Sequence, residues 1–399
     1  MRSTSPVPIV FMSKRVLISG GGIAGLALGF WLDRLGIETV VVDRVPQFEA
    51  LGHYIALKGN GVEAIRQMGL EGACRAREVR FERTLMLTAA GTLLRTGSRD
   101  EFDHNLGGYI LFLRADLQAV LFEAVRDKVE IRCGTEIVRV EDTGDRVAVE
   151  LSTGQTESFD AVFGADGIHS RTRRLVFGDG YLHGMGGHYI GLTVDCAHGL
   201  PPNHVRSYWG SGQSVHMFLT SPERVSAVVY HGDGGGAFPA RDTASVKAFL
   251  LGAYGAFSPE VRAVFAALDE RAFVFADAIA QVRMPAIVKG RVALLGDAAH
   301  CPTFMSGMGS SLALQGARAL AAQIEQRPGE MTQALLSYQA AIAPVAERYQ
   351  ASARGMRPIL LDRRRWISYG RDLALRLTPE WLMARQTRRF YHAENLARV

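Results

Sequence analysis

The spacing of apolar and polar positions changes twice along this chain, and each change marks a boundary. Near the N-terminus Arg15-Val16-Leu17-Ile18-Ser19 is an unbroken apolar run, the pattern of a strand covered on both faces. A glycine-rich turn, a helical run and a second apolar strand follow, Val40-Val41-Val42, ending in Asp43-Arg44. A helix is expected over Asn60–Met68, with Val62 and Ile65 inward, and strands over Val129–Arg132 and Val147–Leu151. From about 180 to 285 apolar and polar residues alternate, rich in aromatics, over Tyr189–Asp195, His216–Thr220 and Val225–His231. The turn-like Gly232-Asp233-Gly234-Gly235-Gly236 follows, so this stretch predicts an antiparallel sheet. Arg291–Asp297 restores the first pattern and leads to a helix over Ser310–Glu325. Two long helical runs close the chain, with breaks expected near Pro358 and Pro379.

Between the first two strands stands Gly20-Gly21-Gly22-Ile23-Ala24-Gly25, a G-x-G-x-x-G in its strand-to-helix setting. Gly20 allows the tight turn, Gly22 lets backbone approach a pyrophosphate, and Gly25 brings the helix close to the strand. The helix end, opening at Ile23 and Ala24, offers N–H groups to phosphates. Asp43 ends the second strand where it would accept hydrogen bonds from an adenosine ribose. Two later strands run into similar loops. Phe159 to Phe163 leads to Gly164-Ala165-Asp166-Gly167, and Arg291 to Leu295 leads to Gly296-Asp297 and on through Pro302 to Gly307-Met308-Gly309. Ligands of open α/β sheets bind beyond the carboxyl ends of strands, which places Asp297 to hold a polyol. NAD has no such polyol, whereas FAD has a ribityl chain.

In this order and at these separations, the three motifs resemble the class A FAD-dependent monooxygenases. These have the para-hydroxybenzoate hydroxylase-like fold and include tetracycline hydroxylases and natural-product tailoring enzymes. The resemblance spans roughly residues 14 to 345. It includes Arg114-Ala115-Asp116-Leu117, similar to the family's cofactor-contacting arginine at a helix start, and Gln281-Val282-Arg283-Met284-Pro285. It implies an α/β fold with a discontinuous Rossmann-like FAD-binding domain (14–75, 105–178, 286–345). Interleaved with this is a mainly antiparallel β substrate domain (76–104, 179–285), followed by arginine-rich C-terminal helices (346–399). By the same resemblance Arg114, Asp166 and Gly167 lie near the pyrophosphate and ribityl region, Gly296 and Asp297 on the ribityl chain, and Arg44 beside Asp43. Pro302, Gly307, Met308 and Gly309 surround the ring, where backbone N–H groups would steady the anionic reduced flavin. NADPH or NADH would bind transiently as reductant, because no second complete fingerprint occurs. A flavin C4a-hydroperoxide would pass one oxygen of O2 to an aromatic or polyketide-like small molecule.

The chain departs from the family at Asp43, often Glu, at Thr303-Phe304-Met305, where a second proline is common, and at Ser310-Ser311 in place of an Asn. The halogenase signature Trp-x-Trp-x-Ile-Pro is absent. Other readings stay open: a reductase or dehydrogenase of the same fold without oxygen insertion, an NAD-dependent dehydrogenase, or a non-catalytic flavin-bearing partner. No side chain is assigned as general base. His300 suits either proton transfer or a structural place near the cofactor. His216 is a possible substrate contact, with Tyr189, Trp209, Met217 and Phe218 sharing the same strands, although half of any strand faces away. Lys58 lies in a loop resembling one near the flavin, and Arg171 and Arg173 suit either phosphates or the surface. Cys301 reads as a buried filler.

Composition narrows the class. With 399 residues, two lobes are expected, and 48% hydrophobic content excludes disorder. The four cysteines, Cys74, Cys133, Cys196 and Cys301, show neither metal spacing nor a disulfide framework. No apolar run reaches the ~18 residues of a membrane span, no cleavage site follows Pro6 and Pro8, and a cytoplasmic location is expected. Met12 is an alternative start. No metal site and no nucleic-acid motif is present, and oligomeric state is not legible. Residues 350–399 hold eleven arginines against Asp362, Asp372, Glu380 and Glu394, so this tail carries +7 of a total of +5. Arg363-Arg364-Arg365 and Arg388-Arg389 are interleaved with Trp366, Leu373, Trp381, Phe390 and Tyr391. The favoured reading is an amphipathic tail whose apolar face packs on the body and whose arginines are solvated. The alternative is a surface for lipid, a carrier protein or an anionic substrate.

Overall fold

The computed structural model describes residues 14–48, 53–196, 202–233 and 242–391. Met12, Pro6 and Pro8, and most of the Gly232–Gly236 turn, lie outside them, as do the side chains of Arg389, Phe390 and Tyr391. The first half is built on a six-stranded sheet in the order Val288–Lys289, Val292–Leu294, Ala161–Gly164, Arg15–Ser19, Glu38–Asp43, Glu130–Cys133. All neighbours are parallel except the first pair. Strand alternation splits its apolar residues between two covers. Val16, Ile18 and Phe163 meet the helices Ile23–Arg34 and Gly309–Gln326. Leu17, Val40 and Val162 meet a three-stranded antiparallel sheet of Ile137–Asp142, Val147–Leu151 and Thr156–Phe159.

The second half is a seven-stranded sheet ordered Phe273–Val282, Leu182–Asp195, Arg224–Gly232, Gln213–Ser221, His204–Trp209, Arg83–Thr88, Leu93–Ser98. It is antiparallel except between His204–Trp209 and Arg83–Thr88. Its outer face packs Ile190, Leu192, Val215, Met217 and Val229 against two helices, Thr243–Ala253 and Pro259–Ala266. The all-strand expectation for 180–285 missed both helices. Their start signals are the Asp242 carboxylate accepting from Ser245 N–H (2.7 Å) and Pro259 in the first turn. The inner face carries Tyr189, Tyr230 and Phe275 toward the first half. A two-stranded ribbon, Tyr54–Lys58 with Tyr109–Leu113, runs between the halves.

The break expected near Pro358 does not occur there. One helix, Met331–Leu361, runs through Pro344 and Pro358 and stops at Asp362. Shorter helices Arg365–Leu377 and Glu380–Tyr391 follow, separated at Thr378-Pro379. The tail departs from expectation in part: most of its arginines are exposed as expected, but its largest apolar side chains are exposed too. Arg371 and Ser368 face the body, while Trp366, Tyr369, Leu373, Leu377 and Trp381 are exposed. Hydrophobic periodicity defines a stripe on a helix but carries no information on which way it points.

Candidate nucleotide and substrate site

Strand register brings the three motifs together. Ser19 is paired with Val42 on one side and Gly164 on the other, and Gly164 with Leu294. The loops that follow these residues therefore leave the sheet side by side. Gly20 has φ +111°, and a Cβ there would lie 2.4 Å from the Ala165 carbonyl oxygen, so the first and second loops touch backbone to backbone. A Cβ on Gly25 would meet the Gly20 carbonyl at 1.9 Å. Gly296 lies against Ala24, with its Cβ position 2.8 Å from the Ala24 methyl, and Ile23 and Ala24 are buried.

Asp43 secures this junction: one carboxylate oxygen accepts from Gly21 N–H (2.7 Å), the other from Val45 N–H (3.0 Å). A carboxylate has about four acceptor positions, so capacity remains for a ribose hydroxyl. Arg44 beside it is exposed. Gln118 donates to the Gly21 carbonyl (2.7 Å), a contact that no sequence signal indicated. Arg114 opens the helix Arg114–Val125 at the end of the ribbon, and its guanidinium lies 3.7 Å from where a Gly22 Cβ would be. Its N–H donates to the His53 carbonyl (2.9 Å).

Asp166 has a structural task in its own loop that the sequence did not indicate. Its carboxylate accepts from the Ser170 hydroxyl (2.5 Å) and from Thr172 N–H and Oγ1 (2.9 and 3.0 Å). It thereby fixes the start of the helix Arg171–Phe177, and Gly167 forms the open corner beside it at φ +81°. Arg173 is buried and ties this loop to the third, donating to the carbonyls of Ala298 (2.9 Å) and Ile168 (2.7 Å). Arg171 is ion-paired with Glu136. Asp297 begins a four-residue helix and lies 3.7 Å from the Cβ position of Gly309. Burial raises its pKa, against the nearby positive charge of Arg114.

The loop after Asp297 holds the strain. Thr303 has φ 76° and ψ 161°, a conformation nearly confined to glycine, in a β-branched residue. Its hydroxyl accepts from Met305 N–H (3.1 Å). Pro302 is buried, and its carbonyl accepts from Gln281 Nε2 (3.3 Å). Gly307, at φ 60°, is exposed, and its Cβ position is 2.7 Å from Lys58 Nζ. Two N–H groups expected to face the ring are engaged locally. Gly307 N–H donates to the Phe304 carbonyl (3.0 Å) and Met308 N–H to the Ser306 hydroxyl (3.1 Å). The helix Gly309–Gln326 makes its first internal bond from Leu312 N–H to Met308, so its N-terminal end begins at Gly309.

Facing this loop is an aromatic wall. Phe304 stacks on Tyr189 at 3.7 Å between centroids and 13° between planes, and the Tyr230 hydroxyl donates to the Phe304 carbonyl (3.2 Å). His53 meets Tyr189, Phe275 and Phe304 at 5.3 to 5.9 Å. A Cβ on Gly191 would lie 2.6 Å from the His53 Cβ. His216 lies edge-on to Trp209 and Tyr230, with Nδ1 and Nε2 paired to Ser207 (2.9 Å) and Ser214 (3.1 Å). Both ring nitrogens are thus occupied within the sheet. Phe218 packs on Tyr54, whereas Met217 points outward onto the helices and lines nothing here. Burial lowers the pKa of His53 to about 3, helped by Arg114, and those of His216 and His300 to about 4. Among the described residues, His300 Nε2 and the Trp209 indole N–H are buried without a hydrogen-bond partner. Cys301 is buried, and burial raises its thiol pKa. No metal-holding cluster occurs among the described residues.

The donor set suits FAD. It comprises a backbone cradle too tight for any Cβ at Gly20 and Gly25, a helix end and guanidinium at Gly22, and carboxylates at either end in Asp43 and Asp297. This arrangement defines the class A FAD-dependent monooxygenase fold. A family model described as an FAD binding domain matches residues 13–251 and 275–353, and the chain belongs to that family. A flavin-dependent monooxygenase of Legionella longbeachae serogroup 1 (strain NSW150) is 28% identical over 345 residues, covering 85% of this chain and 88% of that protein. The crystal structure of tetracycline destructase Tet(55) is similar with a TM-score of 0.80 at 26% identity, covering 96% of this chain and 98% of that one. Klebsiella pneumoniae HpxO, crystallised with FAD and uric acid, shares the fold with a TM-score of 0.85 at 23% identity, covering 97% and 100%.

Proposed function

We propose that this protein is an FAD-dependent monooxygenase that draws electrons from NADPH or NADH and inserts one oxygen of O2 into an aromatic or polyketide-like small molecule. The observation that carries this reading is the aromatic wall of Tyr189, Tyr230, Phe275 and His53 set against the Pro302–Gly309 loop. Within it, the buried Tyr189 and His53 back the wall, and the half-buried Tyr230 and Phe275 offer a flat, electron-rich molecule stacking partners. When bound, FAD supplies the two-electron chemistry and the reaction with oxygen. Gly20, Gly22 and Gly25 would give its pyrophosphate close backbone approach, Arg114 would neutralise phosphate charge, and Asp43 would accept from the ribose. Asp297 would hydrogen-bond the ribityl hydroxyls. Lys58 and the end of the helix at Gly309 would supply positive potential to an anionic reduced ring. Burial keeps His53, His216 and His300 below their ordinary pKa, whereas the hydrogen bond to Asp277 raises that of His169 in the loop after Asp166. Apolar rings lining the wall exclude water. A cytoplasmic location fits the unpaired cysteines.

The test is a screen of aromatic and polyketide-like compounds for accelerated NAD(P)H oxidation by the purified holoprotein. A substrate should raise NAD(P)H and O2 consumption together and yield a product heavier by one oxygen. Equal turnover without oxygen would assign the site to a reductase or dehydrogenase instead.

A further inference from the structure

The helix Arg365–Leu377 leaves its largest apolar side chains outward. At 100° per residue, Ile367, Ser368, Arg371 and Leu375 fall on one side and Trp366, Tyr369, Leu373 and Leu377 on the other. The first side, half-buried or buried, is the one attached to the body. Ser368 Oγ pairs with Ser211 Oγ (2.8 Å), and Arg371 donates to the Gly210 carbonyl (2.9 Å) with its guanidinium over Trp209. Arg95 donates to the carbonyls of Thr378 (2.7 Å) and Leu375 (3.3 Å) at the helix end. These contacts hold the apolar stripe outward. Trp381, just past Thr378-Pro379, extends it. These five are the most exposed large apolar side chains among the described residues, at 57 to 69%.

The surroundings of the stripe are basic. Arg363, Arg364, Arg365, Arg376, Arg385 and Arg388 are exposed. The acids on these helices are Asp362, paired with Arg364 (2.6 Å), Asp372, paired with Arg371 (2.8 Å), and Glu380, and the helix Arg99–Leu106 packed against Glu380–Tyr391 adds Asp100, Glu101 and Asp103, so the cationic excess lies along Arg363–Arg376. A two-fold contact between copies of this face would oppose two cationic rims. An anionic lipid surface matches both features. Arginines reach phosphates, and Trp, Tyr and Leu are the side chains that settle at the headgroup–acyl boundary. No helix of the described residues is long and apolar enough to cross a membrane, so contact would be confined to the interface.

We propose that the exposed face of Arg365–Leu377 and Trp381 docks the protein on the surface of an anionic lipid bilayer, with the helix axis in the headgroup plane. The test is flotation of the full-length, FAD-loaded protein with two kinds of vesicle: phosphatidylcholine alone, and an equal mixture of phosphatidylcholine and phosphatidylglycerol. At low salt about tenfold more protein should float with the mixed vesicles, and the difference should shrink at high salt. The triple variant Trp366→Ser, Leu373→Gln, Leu377→Gln should lose about tenfold of that binding and keep its flavin content, since all three side chains are exposed. Absence of flotation with mixed vesicles would overturn the proposal, as would equal flotation with both kinds or undiminished binding by the triple variant. Concentration-dependent dimerisation abolished by the same variant, without flotation, would assign the face to a second copy.

Discussion

The two sheets contribute to one site by opposite means. The parallel sheet offers backbone: glycines at positive φ, N–H groups and carbonyls in contact across loops, with few side chains reaching inward. The antiparallel sheet offers volume: rings from Tyr189, Tyr230 and Phe275, stacked or edge-on, with most polar atoms already paired. A surface made of backbone has little freedom to vary, because any added atom collides with main chain. A surface made of side chains changes shape with each substitution and leaves the strands intact. On the proposed function, the first half would hold the constant cofactor and the second would set which small molecule is taken.

The contrast breaks most sharply at Gly20. Gly20→Ala places a methyl 2.4 Å from the Ala165 carbonyl at a φ that alanine avoids. A loss of about 4 kcal/mol and of nearly all bound FAD is expected, read from the flavin-to-protein absorbance ratio and the melting temperature. Tyr189→Ala removes a buried ring stacked on Phe304 and should cost about 3 kcal/mol of stability. FAD content should stay near that of the parent, and NAD(P)H oxidation should lose its response to substrate. A Tyr189→Ala protein purified without flavin would contradict the division of labour.

The pH dependence of stability comes next. His53 and His300 are held neutral at about 3 and about 4, below their ordinary 6.5. Below pH 6.5 the unfolded chain takes up these protons and the folded one does not. Stability present above 6.5 is therefore lost as pH falls toward 4, by at most about 1.4 kcal/mol per pH unit for each histidine. Denaturant midpoints across that window should show this slope, and His300→Gln should make it shallower. The smallest effect is expected at Lys58. Lys58→Met leaves the nucleotide cradle intact and removes one positive charge beside Gly307. Spectroelectrochemistry should show the bound flavin harder to reduce by about 1 kcal/mol or less, with unchanged FAD content.

The same contrast explains what could be read from the residues. Gly20 and Gly25 were legible because a tight turn or a close approach demands glycine at a particular distance from a strand. The position of Arg114 at a helix start was marked only through resemblance, since an arginine there is otherwise unremarkable. The part of Asp166 in holding Ser170 and Thr172 depends on a local turn that spacing does not specify. The Phe304–Tyr189 stack joins positions 115 residues apart along the chain, on a loop and a strand with no common pattern. Alternation showed that Tyr189 and Ile190 face opposite ways, and only the tertiary packing shows which of them faces the cofactor half. The two helices between 243 and 266 had ordinary start signals, Asp242 and Ser258-Pro259, obscured by the strand-rich composition on either side.

The helix Met331–Leu361 gives the molecule a mechanical character. Met331, Leu335, Tyr338 and Ile342 are buried with the core of the parallel sheet, and thirty residues of unbroken rod later Leu360 and Leu361 are buried under the antiparallel one. At Gly232 the Leu361 carbonyl lies 2.0 Å from where a Cβ would be, so the far end is seated with no slack. A strut fastened at both ends resists bending of one lobe against the other. Motion at the cleft is thereby left to short segments, and calorimetry should record the two lobes melting in a single transition.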